Sequence, residues 1–268
     1  MKEGEREVEG ELNPYLYSGL EASLYDVLDE LSEFDDAHFF RWFIENYPGP
    51  VLDVGCGTGR LLIPYAKEGI DIEGIDTSNE MLDICRDKLK ADDLGNRISC
   101  ADMRDFDLDR KYQVIMIPGF SIQLLREESE AIACLENCRK HLMPGGILIV
   151  CSYIPWDMVY DGRSEAPYEL RKSCEDLEQG QLLEASQGWV LDREKELLVL
   201  KNRFEVFDIT SKELLHRQDA EMVLRWRLPY DFVSLVRRAG FDEVSTYGDF
   251  TFDEMDPEAE SVICVGHV

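Results

Sequence analysis

The chain is 268 residues long and carries 56 acidic against 28 basic side chains, a formal net charge of −28. A surface of that sign repels nucleic acid and anionic membrane, and aliphatic runs as short as Ile147-Leu-Ile-Val150 cannot span a bilayer. With 44% apolar residues the chain can bury a substantial core, either as one large domain or as one domain with an insert.

In chain order, glutamate recurs at every second position from Glu3 to Glu11, so residues 1–12 read as a charged leader. No apolar stretch of the secretory kind occurs there, and a cytoplasmic protein is the expectation. From Tyr15 to Tyr47 apolar residues such as Leu24, Val27, Leu28 and Leu31 fall three or four apart, as in helices, until Pro48-Gly49-Pro50 stops the pattern. Strand-like runs then follow at 51–54, 70–75, 97–101, 112–117 and 146–152. They alternate with helix-like stretches at 59–68, 79–90 and 126–142. This rhythm predicts a parallel sheet covered by helices on both faces.

The rhythm breaks after Pro155. Residues 156–180 read as a long loop or short helices, and extended segments follow near 182–191, 196–208 and 213–228. Turns at Asp192-Arg-Glu-Lys195 and Asp208-Ile-Thr-Ser211 would make these an antiparallel meander. A helix near 229–239, opened by Pro229 and closed by Gly240, leads back to strands at 241–248 and 261–267. The eight cysteines include no C-x-x-C pair. Cys134, Cys138 and His141 share one helix face, but with no second ligand cluster their expected role is packing rather than metal binding.

The most informative segment is Val51-Leu-Asp-Val-Gly-Cys-Gly-Thr-Gly-Arg60, an apolar strand running into Gly55, Gly57 and Gly59 and then a helix. A nicotinamide dinucleotide loop places its third glycine where Arg60 stands, and an apolar residue where Asp53 stands. Two further carboxylates close strand-like runs: Asp76 in Ile72-Glu-Gly-Ile-Asp76, followed by Thr77 and Met81, and Asp102 in Cys100-Ala-Asp-Met103.

At these residues the chain resembles the class I S-adenosylmethionine-dependent methyltransferases, whose first motif is an acid, one residue, then G-x-G-x-G. The resemblance covers about 40–152, with the last strands at 241–267. It implies an α/β, Rossmann-like fold: a seven-stranded, mostly parallel sheet with helices on both faces, plus a mostly antiparallel β insert. Residues 1–154 and 229–268 would form the core, with 1–48 as a helical lid, and 155–228 would cover the substrate. For S-adenosylmethionine it implies Gly55, Cys56, Gly57 and Gly59 beneath the methionine part and Asp53 toward its ammonium. Asp76 and Thr77 would lie at the ribose, and Met81, Asp102 and Met103 at the adenine. Pro118, after the fourth strand, begins the active-site floor.

No fixed catalytic motif is expected, because methyl transfer needs alignment more than acid–base help. Gln123, Tyr153 and His216 are candidate acceptor-side groups, with ordinary packing as the alternative for each. Tyr15, Tyr17 and Tyr25 could roof the cofactor, their ring faces suiting a sulfonium. The expected partner is a small-molecule acceptor methylated at nitrogen or oxygen, without nucleic acid, membrane or metal, by a monomer or homodimer. An RNA or protein methyltransferase and a cofactor-binding protein without catalysis are the alternatives.

Overall fold

A computed structural model describes residues 15–30 and 35–268; the leader expected over 1–12, and Leu31, lie outside the described residues. Three helices come first: α1 (Gly19–Ser23), α2 (Tyr25–Glu30) and α3 (Ala37–Asn46). Then β1 (Val51–Val54), α4 (Leu62–Lys67), β2 (Ile72–Asp76), α5 (Asn79–Ala91), β3 (Ile98–Cys100) and β4 (Tyr112–Ile117) alternate. A short 3-10 helix, Ser121–Leu124, precedes α6 (Glu128–His141) and β5 (Leu142–Tyr153). After α7 (Trp156–Asp161) come β6 (Glu165–Asp176), β7 (Gln181–Asp192), β8 (Leu197–Asp208) and β9 (Leu214–Arg225). The chain ends with α8 (Pro229–Arg238), β10 (Glu243–Gly248) and β11 (Ser261–His267).

Among the described residues the strands form two sheets. The first has seven strands in the order β10-β11-β5-β4-β1-β2-β3, all parallel from β5 to β3, with β11 antiparallel to both of its neighbours. Its central strands are largely apolar because both faces are covered. Leu52 and Val54 pack toward α6 and α8, whereas Val51 packs toward α3, α4 and α5. The strand order reverses at β1, which pairs with β2 on one side and β4 on the other. At such a point the loops beyond the two carboxyl ends diverge and leave a crevice.

The second sheet is an antiparallel meander, β6-β7-β8-β9. Residues 156–180, expected as a long loop or short helices, hold the short helix α7 and also the first of its strands, which was not expected. Strand β6 lies at the sheet edge and is mostly exposed, so it carries no alternating apolar signal. Its turn did carry one. Asp176, Asp192 and Asp208 each open a hairpin by accepting two backbone N–H groups, from residues two and three positions on, at 2.7–3.1 Å. Trp189, Leu191, Leu198, Leu224 and Trp226 join this sheet to the α6–α8 side of the core. Leu24 and Leu28 of the N-terminal helices pack on its Leu183, Phe204 and Val206.

The glycine-rich turn after β1 depends on close packing beneath it. A Cβ on Gly74 of β2 would lie 2.6 Å from Leu62 Cδ1 and 2.7 Å from Cys56 Sγ. Gly74→Ala is therefore expected to cost about 1–3 kcal/mol through overpacking, read as a lower urea midpoint with an unchanged denaturant slope.

Candidate functional site

The crevice at the reversal point is a cavity of about 830 Å³, open mouth included. Its floor is the turn after β1. Gly55 and Gly57 line it with φ of 79° and 52°, backbone conformations that glycine adopts without strain. Cys56 lines it as well. Gly59 is in the same conformation but does not line the cavity; a Cβ there would meet Cys85 and Ile63 at 2.8 Å. Its glycine is thus required by helix packing.

Asp53 reaches the cavity from β1 and is 1% exposed, with no hydrogen-bond partner for Oδ1 among the described residues. Burial pushes its carboxyl up to about 7, opposed by Arg60 and reinforced by Asp36 and Asp76. Arg60 does not neutralise it directly, because its guanidinium is forked onto the fully buried Asp36 at 2.5 and 2.8 Å. The Asp36–Arg60 pair ties the start of α3 to the glycine turn.

Asp76 ends β2 at the cavity wall. Its Oδ2 accepts from Gly57 N–H at 2.9 Å and its Oδ1 from Ser78 N–H at 2.8 Å. Each oxygen keeps a lone pair for a hydroxyl donor. Burial raises its pKa, and the amides of Ser78, Gly57 and Thr77 oppose that rise. Ser78 caps α5, accepting from Met81 N–H. Thr77, Met81, Ala101, Met103, Pro118 and Leu124 complete much of the apolar wall.

Over the mouth lie Tyr15, Tyr17 and Tyr25, with successive ring centroids 5.2 and 5.6 Å apart, edge to face. The segment that carries them is anchored to the core. Ser78 Oγ donates to Tyr17 O at 2.6 Å, Glu80 accepts from Gly19 N–H at 2.6 Å, and Asp26 accepts from Thr58 Oγ1 at 2.6 Å while pairing with Lys88. It is also anchored to the second sheet, where Gln218 accepts from Leu20 N–H and donates to Ser18 O.

Other expected residues stand elsewhere. Asp102 does not line the cavity; Arg104, two residues on, grips both of its oxygens and holds its pKa low. Gln123 is buried and occupied in packing, donating to the carbonyls of Tyr153 and Arg225 and accepting from Tyr153 N–H. Tyr153 packs against Phe120 with tilted rings, centroids 5.7 Å apart, and does not line the cavity. His216 is exposed on β9, away from it. Cys134 and Cys138 are buried in α6, and His141 accepts from Leu108 N–H through Nε2. No group of three or more metal-ligating side chains occurs among the described residues. The reading from sequence missed Asp36, which fixes Arg60, and Glu21, which accepts from the Tyr15 hydroxyl at 2.5 Å. Neither lies in a glycine or strand-end pattern that would flag it.

Residues 51–146 match the model of a family described as a methyltransferase domain. The dTDP-3-amino-3,4,6-trideoxy-alpha-D-glucopyranose N,N-dimethyltransferase of Streptomyces venezuelae is 36% identical over 106 residues, 40% of this chain and 42% of that protein. The dTDP-3-amino-3,6-dideoxy-alpha-D-glucopyranose N,N-dimethyltransferase of Streptomyces fradiae is 32% identical over 52% of this chain and 54% of its own length. The chain thus spans about half the length of the curated relatives it matches. Among solved structures, an S-adenosylmethionine-dependent methyltransferase from Clostridium acetobutylicum superposes with a TM-score of 0.75 at 17% identity, over 92% of this chain and 97% of the other. Streptomyces venezuelae DesVI gives 0.70 at 21% identity, over 91% and 97%. At such identities the structural likeness establishes the fold.

The buried Asp53 makes stability depend on pH. The folded state keeps this proton where the unfolded chain has released it, so stability falls as pH rises from 3.8 to about 7. Asp53→Asn removes that loss. Its urea midpoint should exceed wild type by the equivalent of roughly 1–4 kcal/mol at slightly alkaline pH, and match it near pH 4.

Proposed function

We propose that this chain, which has the class I methyltransferase fold and carries the methyltransferase-domain segment 51–146, binds S-adenosylmethionine and methylates a nitrogen or oxygen of a small molecule. The observation that carries the reading is the unpartnered Asp53 oxygen at the floor of a glycine-lined cavity. A buried carboxylate without a donor is costly, and an ammonium group is the ligand that relieves it. The methionine ammonium of the cofactor is such a group, so the residues present fit it.

In this reading Asp53 holds the ammonium, and the Gly55–Gly57 backbone lets the chain pass close beneath the methionine part. Asp76, its carboxylate already fixed by two amides, accepts the ribose hydroxyls. Met81, Ala101 and Met103 flank the adenine. Asp102 contributes through Arg104 and the shape of the loop, since its oxygens are already engaged. Tyr15, Tyr17 and Tyr25 exclude water and present ring faces and edges near the reacting centre. The bound cofactor supplies an electrophilic methyl group on a sulfonium. The chain's task is then alignment of the acceptor, which can lower the barrier substantially. The acidic surface supports a small acceptor over nucleic acid.

Titration calorimetry tests this. S-adenosylmethionine and S-adenosylhomocysteine should both bind; no heat at millimolar ligand removes the proposal. Because the ammonium favours ionised Asp53, binding should release protons and tighten between about pH 5.5 and 7.5. Asp53→Asn should flatten that dependence. Asp76→Ala should weaken binding at least tenfold, roughly 1.5–3 kcal/mol for lost charge-assisted contacts.

A further inference from the structure

A second cavity, about 720 Å³ with its mouth, lies between the N-terminal helices and the antiparallel sheet. It shares Tyr17 and Tyr25 with the first cavity. Its lining includes Glu21, only 4% exposed, which forms no ion pair among the described residues. Both Glu21 oxygens accept from the Tyr15 hydroxyl at 2.5 Å. Asn202 lines the same cavity, and its side chain opposes the rise in pKa of both Glu21 and Tyr15. Asn202 Oδ1 accepts from Gln187 Nε2 at 2.9 Å. Gln187 and Asn202 of the second sheet thus stand with Glu21 in the lining of this cavity, and Tyr15 links Glu21 to the edge of the first.

We propose that Glu21 receives the methyl acceptor: the second cavity takes an amine, and the Glu21 carboxylate pairs with its ammonium and removes one proton before methyl transfer. The inference rests on the methyl-donor reading of the first cavity. A buried carboxylate held only by neutral donors lacks a counter-charge, and a cationic amine supplies one while giving up solvent to the same cavity. Burial raises the Glu21 pKa, which improves it as a base. The ammonium passes a proton to a Glu21 oxygen and exposes its lone pair. The new N–CH3 bond then forms as the S–CH3 bond breaks, its electron pair remaining on sulfur. The products are a methylated ammonium and a neutral thioether, and Glu21 returns its proton to solvent as the product leaves.

Other groups facing Glu21 leave this chemistry in place. Burial keeps the phenols of Tyr15 and Tyr17 protonated, and Tyr25 stands beside them in the shared wall. From β7, β8 and β9 the neighbours are Ser186, Gln187, Asn202 and Met222, none of them ionisable. On β6 the Lys172 ammonium donates to Leu28 O, and Arg171 is exposed on an edge strand, where solvent screens it.

The test uses the full chain, methyl-labelled S-adenosylmethionine and matched acceptors: benzylamine against benzyl alcohol, and glucosamine against glucose. Label should enter the amines and not the alcohols. Glu21→Gln keeps the volume and an acceptor oxygen but not the charge. It should bind S-adenosylhomocysteine within twofold of wild type and lose at least tenfold in kcat near neutral pH. The deficit should shrink as pH approaches the amine's own pKa, where neutral amine needs no base. Glu21→Asp, which keeps the charge, should retain the wild-type profile at a lower rate. Equal labelling of alcohols, an unchanged rate and pH profile in Glu21→Gln, or no labelled amine while S-adenosylhomocysteine binds would each overturn the inference and leave the donor site standing. Absence of S-adenosylhomocysteine binding would instead remove the donor site itself.

Discussion

Everything around the first cavity follows from placing one carboxylate, Asp53, inside the sheet at the point where strand order reverses. An acid on a central strand has no solvent to ionise into, and the nearest cation is held elsewhere. Arg60 is forked onto Asp36, so it contributes field without closing the hydrogen bond that Asp53 lacks. The result is a buried carboxyl oxygen without a donor among the described residues, the feature on which the proposed methyl-donor site rests. An arginine bonded to Asp53 itself would fill the need and abolish the site.

The second constraint is the N-terminal segment. It touches the glycine turn through Asp26 and Thr58, the start of α5 through Tyr17 and Ser78, and the antiparallel sheet through Gln218 and the Leu24–Leu28 cluster. None of these contacts is large by itself. Together they position three tyrosines over the mouth and place Glu21 in a wall made by the insert. The insert therefore does more than cover the core, because its Asn202 and Gln187 line the cavity that Glu21 faces.

Much of the architecture was legible because the α/β rhythm is carried by buried aliphatic strands and by glycine and proline punctuation. The glycine turn, with Asp53 before it and Asp76 at the next strand end, was legible from its spacing, and Gly55, Gly57 and both acids line the first cavity. Strand β6 was not, since an exposed edge strand has no apolar alternation, although the Asp176 turn repeats the grammar of Asp192 and Asp208. Asp102 follows the third strand as expected, with no sign in the sequence that Arg104, two residues on, engages both of its oxygens. Gly59 illustrates the converse, a motif glycine whose requirement comes from Cys85 and Ile63. The proposed acceptor side was hardest to read, as Glu21 and Asn202 come from distant segments and line one cavity only through tertiary packing.

Tyr17 and Tyr25 are a party wall, standing in the lining of both cavities. A wall so shared makes the two volumes reciprocal: a ring rotation that widens one chamber narrows the other. Were both chambers filled, their occupants would be coupled through the torsions of these two side chains. The bulk of whatever fills one chamber then sets the shape presented to the occupant of the next.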